Sequence, residues 1–320
     1  MQISKMLAML GLAVMSLYLF SVGAAGEGGS VPAPTAETAT PLSADESRWI
    51  EEAEMAEALV RVMESVNSEE IRETTIGGGL AVKNETNYEL DLPALMSRPP
   101  ELKLPAEGVQ ILIIHTHASE AYTPAGLDRY EANDNRRTAD TQYSIVRVGD
   151  ELTALFEEAG LRVLHDREIY DYPSYTGSYT RSGEAVERCL AEHPEIRIVL
   201  DIHRDALGTD GVVYKTMAEE EGVVASQVML LVGTDESGLS HPNWRGNLAL
   251  ALYLQQRVSL EHPTLMRPVS LVPQRYNQHL TPGSLIVEVG SSGNTLQEAL
   301  SAIRLFAEAA APALLELVSA

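Results

Sequence analysis

The chain has 320 residues, 45% of them hydrophobic, and a formal net charge of −23. That is enough apolar material for one sizeable core with accessory segments. The acidity argues against a nucleic-acid binder, which needs a basic face over the phosphates, and against general adhesion to anionic lipid.

Residues 1–25 contain an uncharged apolar run from Met6 to Ala25, with Lys5 before it and Glu27 after it. About 20 such residues cross a bilayer as a helix. The charge asymmetry places the remainder outside the cytoplasm, so the expectation is a single-pass cell-membrane protein with an extracytoplasmic domain. Val22-Gly23-Ala24 also resembles a signal-peptidase site, which leaves a cleaved, secreted product as the alternative. Residues 26–45, rich in Gly, Ser, Pro, Thr and Ala, read as a flexible linker. Residues 46–105 read as a helical stalk and connecting region: Trp49, Ala53, Leu59 and Met63 keep helical spacing, and Gly77-Gly78-Gly79 and Pro99-Pro100 punctuate the approach to a domain over 106–320.

Within that domain strands and helices alternate. Val109–Ile114 is a nearly continuous apolar run suited to a strand buried on both faces. A helix follows over Tyr143–Ala159 and stops at Gly160. Leu161–Leu164 is a second strand, Ser182–Glu192 a helix ended by Pro194, Ile196–Ile202 a third strand and Gln227–Val232 a fourth. A helix over Asn243–Leu260, a fifth strand over Leu285–Val289 and a closing helix over Thr295–Val318 complete the series. The alternation predicts an α/β layer sandwich with a mainly parallel sheet. The single cysteine, Cys189, cannot form an internal disulfide and reads as a small buried residue on its helix.

Three of these strands break their apolar pattern at the C-terminal end: at His115-Thr116-His117-Ala118-Ser119-Glu120, at Asp201-Ile202-His203-Arg204-Asp205 and at Glu288. Open parallel sheets bind ligands beyond their carboxyl ends. His117 and Glu120, three positions apart, can meet one cation on a turn, and His203 from a neighbouring strand would be the third ligand. Two histidines, one carboxylate and an open position make a catalytic zinc arrangement. His115 is the alternate to His117, and Asp140 the alternate to Glu120, its other reading being a helix N-cap. Glu288, a carboxylate inside an apolar strand, needs a partner or a function, and general base is the role that fits. Asp201 and Asp205 bracket His203 and are placed to orient it.

The Tyr-rich stretch Asp171–Ser182 offers Tyr175 and Tyr179 for stacking on sugar or peptide groups, and Arg181 for holding a carboxylate. Arg275 and Asn277, in a polar run before Glu288, are candidates for the same cleft. His165, His193, His241 and His262 read as surface or turn residues.

The ordered blocks resemble the stage II sporulation protein P family of cell-wall hydrolases. They are His-Thr-His-Ala-Ser-Glu-Ala-Tyr at 115–122, Tyr-Pro-Ser-Tyr-Thr-Gly-Ser-Tyr at 172–179, Leu-Asp-Ile-His-Arg-Asp-Ala at 200–206, Arg-Tyr-Asn-Gln-His-Leu at 275–280 and Val-Glu-Val-Gly-Ser at 287–291. The resemblance covers roughly Val109 to Ala307, and the N-terminal anchor and spacer match as well. It implies a three-layer α/β/α sandwich related to zinc carboxypeptidases, with Zn2+ as cofactor. It further implies N-acetylmuramoyl-L-alanine amidase activity, in some members also endopeptidase activity on peptidoglycan cross-links. The implied setting is forespore engulfment, alongside stage II sporulation proteins D and M. Two other readings stand beside it: a zinc peptidase acting only on stem peptides, and an inactive wall-binding scaffold.

Overall fold

In the computed structural model, the described residues are 70–319, apart from 78–79, 98, 127, 129, 131–135, 210 and 221. The expected anchor, the linker and the first part of the stalk lie outside them. Among the described residues, no helix is long and apolar enough to cross a membrane.

The elements run β1 (Glu70–Thr74), β2 (Val82–Asn84), α1 (Leu92–Met96), β3 (Ile111–Ile114), α2 (Ile145–Glu158), β4 (Val163–His165), α3 (Ser178–Glu192) and β5 (Ile198–Asp205). The short strands β6 (Gly208–Thr209), β7 (Val212–Thr216), β8 (Ala218–Glu220) and β9 (Val223–Ala225) follow. The chain closes through β10 (Val228–Gly233), α4 (Trp244–Glu261), β11 (Val269–Val272), β12 (Ser284–Ser291) and α5 (Leu296–Leu315).

Seven strands form the central sheet in the order β2-β11-β10-β12-β5-β3-β4. All neighbours are parallel except β10 and β12, which run antiparallel. The sheet is therefore mixed, as well as mainly parallel. Every residue of β3 is buried, and its side chains alternate between two cores. Ile111 and Ile113 join the larger core with Val148, Leu152 and Phe156 of α2 and Leu300, Ile303 and Phe306 of α5. Leu112 and Ile114 join the smaller one with Ala185 and Val186 of α3. This period-two division places helices on both faces and makes the domain a three-layer α/β/α sandwich.

Because α2 and α3 cover opposite faces, the chain leaves β3 for β4 on one side and returns to β5 on the other. The carboxyl ends of β3 and β5 thus flank a topological switch point, where such sheets leave a crevice.

Several expectations change. The connecting region before 106 is partly built into the body, since β2 adds an edge to the central sheet against β11, and β1 pairs with β7 in a separate three-stranded sheet. Helix α3 starts at Ser178, not Ser182, so Tyr179 and Arg181 lie on its first turn instead of in a loop. Helix α2 is capped by Ser144, whose side chain accepts from the Val146 amide, so Asp140 is not its N-cap. Helix α5 opens with a capping box in which Thr295 and Glu298 satisfy each other's backbone amides.

Candidate active site

Three side chains meet at the carboxyl ends of β3 and β5: His117 and Glu120 from the turn after β3, and His203 from the last few residues of β5. His117 Nδ1 lies 3.6 Å from Glu120 Oε1 and His203 Nδ1 lies 3.4 Å from Glu120 Oε2. The two imidazole rings are nearly perpendicular, with centroids 5.0 Å apart. All three residues are buried, and one ligating atom from each falls within 4.8 Å of the others, close enough to hold one metal ion. Local geometry explains the spacing: β3 ends at Ile114, and the turn that follows bonds the Glu120 amide back to the His117 carbonyl at 2.9 Å. The turn presents both side chains on one side.

Other groups hold the triad in place. Glu120 also accepts from Arg137 Nη2 and from the Arg204 backbone amide, each at 3.2 Å. Asp201 Oδ1 lies 3.0 Å from His203 Nε2, although the ring N–H is not aligned well enough to count as hydrogen-bonded. Asp201 is itself fixed by the Thr116 amide at 2.8 Å and the Thr116 hydroxyl at 2.6 Å. Asp201 and His203 lie two apart on β5 and so share a face, with Asp201 against the ring nitrogen that looks away from Glu120.

Electrostatics follow from this packing. Burial alone would push the Glu120 carboxyl up, but bonds from His117 and His203 and the His203 charge hold it well below its usual range. Burial disfavours charge on His203, yet Asp201 and Glu120 outweigh it and raise the imidazole well above its ordinary value.

Glu288 sits opposite His203 in the β12–β5 register, so both side chains leave the sheet on the same face. Its Oε2 is buried and has no hydrogen-bond partner. Burial pushes its pKa up to about 8, against the pull of the His203 charge. The strand bulges immediately afterwards, between Glu288 and Ser291, around Gly290 at φ +67. A Cβ there would fall 2.9 Å from Ser226, so the bend needs glycine on both steric and conformational grounds.

The two alternates do not join the cluster. His115 turns away from the triad: its Nδ1 meets the Ile202 carbonyl at 3.1 Å and its Nε2 meets His165 Nε2 at 2.8 Å. Both sit against Gly149, where a Cβ would lie 2.5 Å from His115 Nε2. Asp140 is exposed and accepts from the Gln142 amide in a local turn. Asp205 is drawn off His203 by Arg267, whose Nη1 donates to it at 2.8 Å.

The buried histidine pair carries a pH prediction. Burial, helped by the neighbouring His165, pushes His115 down to about 3 from an ordinary 6.5, and burial also lowers His165. Below pH 6.5 the unfolded chain takes up protons that folded His115 refuses, so stability falls with pH until about 3. At pH 5 this one group is expected to remove about 2 kcal/mol. Urea unfolding at pH 7 and pH 5, with chelator present, measures it. The loss should shrink in His115→Gln, and an equal loss in both proteins rules the histidine out.

Among the residues expected to bind substrate, the tyrosines reach the triad. Tyr175 stacks on His117 with centroids 4.6 Å apart, and Tyr179 meets the same ring edge-on at 5.4 Å. The others are braces. Arg181 donates to the carbonyls of Tyr170, Ser174 and Thr176, so it ties the loop together and does not hold a carboxylate. Asn277 donates to the Tyr179 carbonyl at 2.9 Å and to Ser182 Oγ at 3.1 Å, fixing the start of α3. Arg275 Nη1 donates to the Ser240 carbonyl. His241 and His262, expected at the surface or in turns, are buried, and His262 caps the end of α4.

Sequence reasoning passed over Arg137, which bridges Glu120 and Asp171 and lies 5.0 Å over the Tyr175 ring. A signal was available in the doubled Arg136-Arg137 of so acidic a chain.

A mixed α/β sheet with a buried His-Glu-His cluster at the carboxyl edge of its parallel strands defines an α/β protein with a candidate catalytic metal centre. The family model "Stage II sporulation protein P (SpoIIP)" matches residues 22–311. The chain belongs to that family. It is 25% identical over 199 residues to the stage II sporulation protein P of Bacillus subtilis (strain 168), a match covering 59% of this chain and 47% of the relative, so it spans about half the length of that curated relative. Similar solved structures include the N-acetylmuramoyl-L-alanine amidase AmiC2 of Nostoc punctiforme, at 14% identity and a TM-score of 0.38, covering 66% of this chain and 98% of that one. The CwlD amidase from Clostridioides difficile, solved in complex with the GerS lipoprotein, is similar at 13% identity and a TM-score of 0.37, covering 66% and 98%.

Proposed function

We propose that the chain is a zinc-dependent peptidoglycan hydrolase of sporulation, cutting the amide bond between N-acetylmuramic acid and L-alanine. The observation that carries the hydrolase reading is the meeting of His117, Glu120 and His203 on the face that also carries Glu288, whose buried Oε2 has no hydrogen-bond partner. The choice of bond rests on the family resemblance, as do cleavage of cross-links and work beside stage II sporulation proteins D and M. Membrane attachment through residues 1–25, with the domain outside the cytoplasm, belongs to the same proposal.

The residues present suit zinc. Two imidazoles and one carboxylate are the donor set of catalytic zinc sites, which keep one position for water or substrate. Once bound there, zinc would polarise the scissile carbonyl and acidify a water molecule. Glu288 then removes the proton from the attacking water and delivers it to the departing alanine nitrogen. A carboxyl with a pKa near neutrality can perform both transfers. Asp201 steadies the His203 ring, Arg137 and the Arg204 amide hold Glu120, and Tyr175 covers His117.

The test is metal analysis of the full chain, followed by digestion of purified sacculi with and without chelator and mass spectrometry of the products. The expected result is stoichiometric zinc, and intact stem peptides released from intact glycans only without chelator. Products cut within the stem peptide would instead support the peptidase reading, and a zinc-free chain that solubilises nothing would leave the scaffold reading.

A further inference from the structure

Both residues expected to bind substrate from the run 275–280 are occupied by the protein's own backbone and hydroxyls. Arg275 donates to the Ser240 carbonyl, and Asn277 to the Tyr179 carbonyl and Ser182 Oγ. Between them stands Tyr276, at φ +52. Bulky residues seldom adopt this left-handed backbone. It persists only where the surroundings impose it, and such positions gather at functional sites.

The imposing contacts lie on both sides. Asn277 anchors the segment to the start of α3. Gln278 is buried, accepts from the Gly233 amide at 2.7 Å and donates to the Leu231 carbonyl at 2.9 Å, which pins the segment to β10. A Cβ at Gly233 would fall 2.1 Å from the Gln274 carbonyl oxygen, so the turn lies directly on the strand end.

Held this way, Tyr276 reaches the surroundings of the triad. Its ring centroid is 5.3 Å from that of Tyr179, which meets His117 edge-on at 5.4 Å. Tyr276 also lines a narrow pocket with Thr116 and Asp201, the brace behind His203. The residue is half-buried, and its hydroxyl forms no hydrogen bond among the described residues. Burial and the nearby Glu288 charge raise its pKa, so the phenol keeps its proton and remains a donor at neutral pH.

We propose that Tyr276 is a substrate-touching residue, its hydroxyl donating a hydrogen bond to an amide carbonyl of the sugar–peptide chain held at the triad. The identity of that ligand rests on the hydrolase reading, but the contact is measured by affinity, apart from cleavage.

The experiment uses the full chain carrying Glu288→Gln and supplied with zinc, so that bound material stays intact. It is titrated with a soluble disaccharide–stem-peptide fragment of peptidoglycan, beside the same chain also carrying Tyr276→Phe. The phenylalanine change removes only the hydroxyl and should weaken binding about 2- to 10-fold, the range of one lost neutral hydrogen bond. Zinc content and thermal midpoint should stay the same. The backbone is tested separately: Tyr276→Gly should melt about 2–4 °C above Tyr276→Ala, because glycine accepts a left-handed conformation without steric cost.

Equal affinity with and without the hydroxyl overturns the contact, as does a fragment that binds neither form. Lost zinc or a lowered midpoint in Tyr276→Phe overturns it too, in favour of a purely structural role. A glycine variant no more stable than the alanine variant removes the imposed conformation that aims the ring. A wild-type chain that releases nothing from sacculi, while Tyr276→Phe still weakens binding, keeps the tyrosine and refutes the hydrolase.

Discussion

Glu288→Gln is expected to lower turnover on purified sacculi by roughly 10²- to 10⁴-fold, the scale of a lost general acid–base, while zinc content stays unchanged. Glu288 is not one of the three clustered ligand residues, so the change leaves the donor set whole. Glutamine keeps the volume and polarity of the side chain but cannot accept and return a proton. The substitution also replaces a buried carboxyl, pushed up to about 8, with a neutral amide, so the thermal midpoint should hold or rise. Rate, metal content and melting measured on one preparation distinguish these effects. Unchanged cleavage in the variant would remove Glu288 from the mechanism.

Glu120→Gln should do the reverse and strip the site of its ion. This carboxylate faces both imidazoles, accepts from Arg137 and accepts the Arg204 amide. Its negative charge is what makes the cluster attractive to a divalent cation, and its loss leaves Asp201 alone to balance the buried His203 charge. Breaking such a buried arrangement costs about 3–5 kcal/mol. Zinc after dialysis should fall to background, and the urea midpoint should drop. Because His203 is held protonated by Asp201 and Glu120, zinc uptake by the wild-type chain should release protons, and the variant should release none. Full zinc retention in Glu120→Gln would show that the ion, if any, sits elsewhere.

How much of this could be read beforehand depends on the length of the signal. Strands β3, β5, β10 and β12 announce themselves as apolar runs, and α2, α4 and α5 as helical spacing with clear ends. Strands β6, β8 and β9 span two or three residues, too short for any period to show. The edge strand β2 is three residues long and mostly exposed, so nothing in Val82-Lys83-Asn84 marks it.

At the site, strand endings were legible because a charged residue in an apolar run is conspicuous. The choice of His117 over His115 rests on its three-residue spacing to Glu120, which the turn after β3 realises, whereas nothing in the sequence shows that His115 turns away to His165. Arg181 and Asn277 show the opposite limit. Polar residues in a loop look the same in sequence whether they reach for a ligand or, as here, for the loop's own carbonyls.

The pairing of Glu288 with His203 across β12 and β5 has one more consequence. Slippage of a single position between these strands would send the carboxylate into the opposite layer of helices, out of reach of the imidazoles. On the proposed mechanism a chain misaligned here would keep its imidazoles and lack the proton-transfer group, so cleavage would report the register of these two strands.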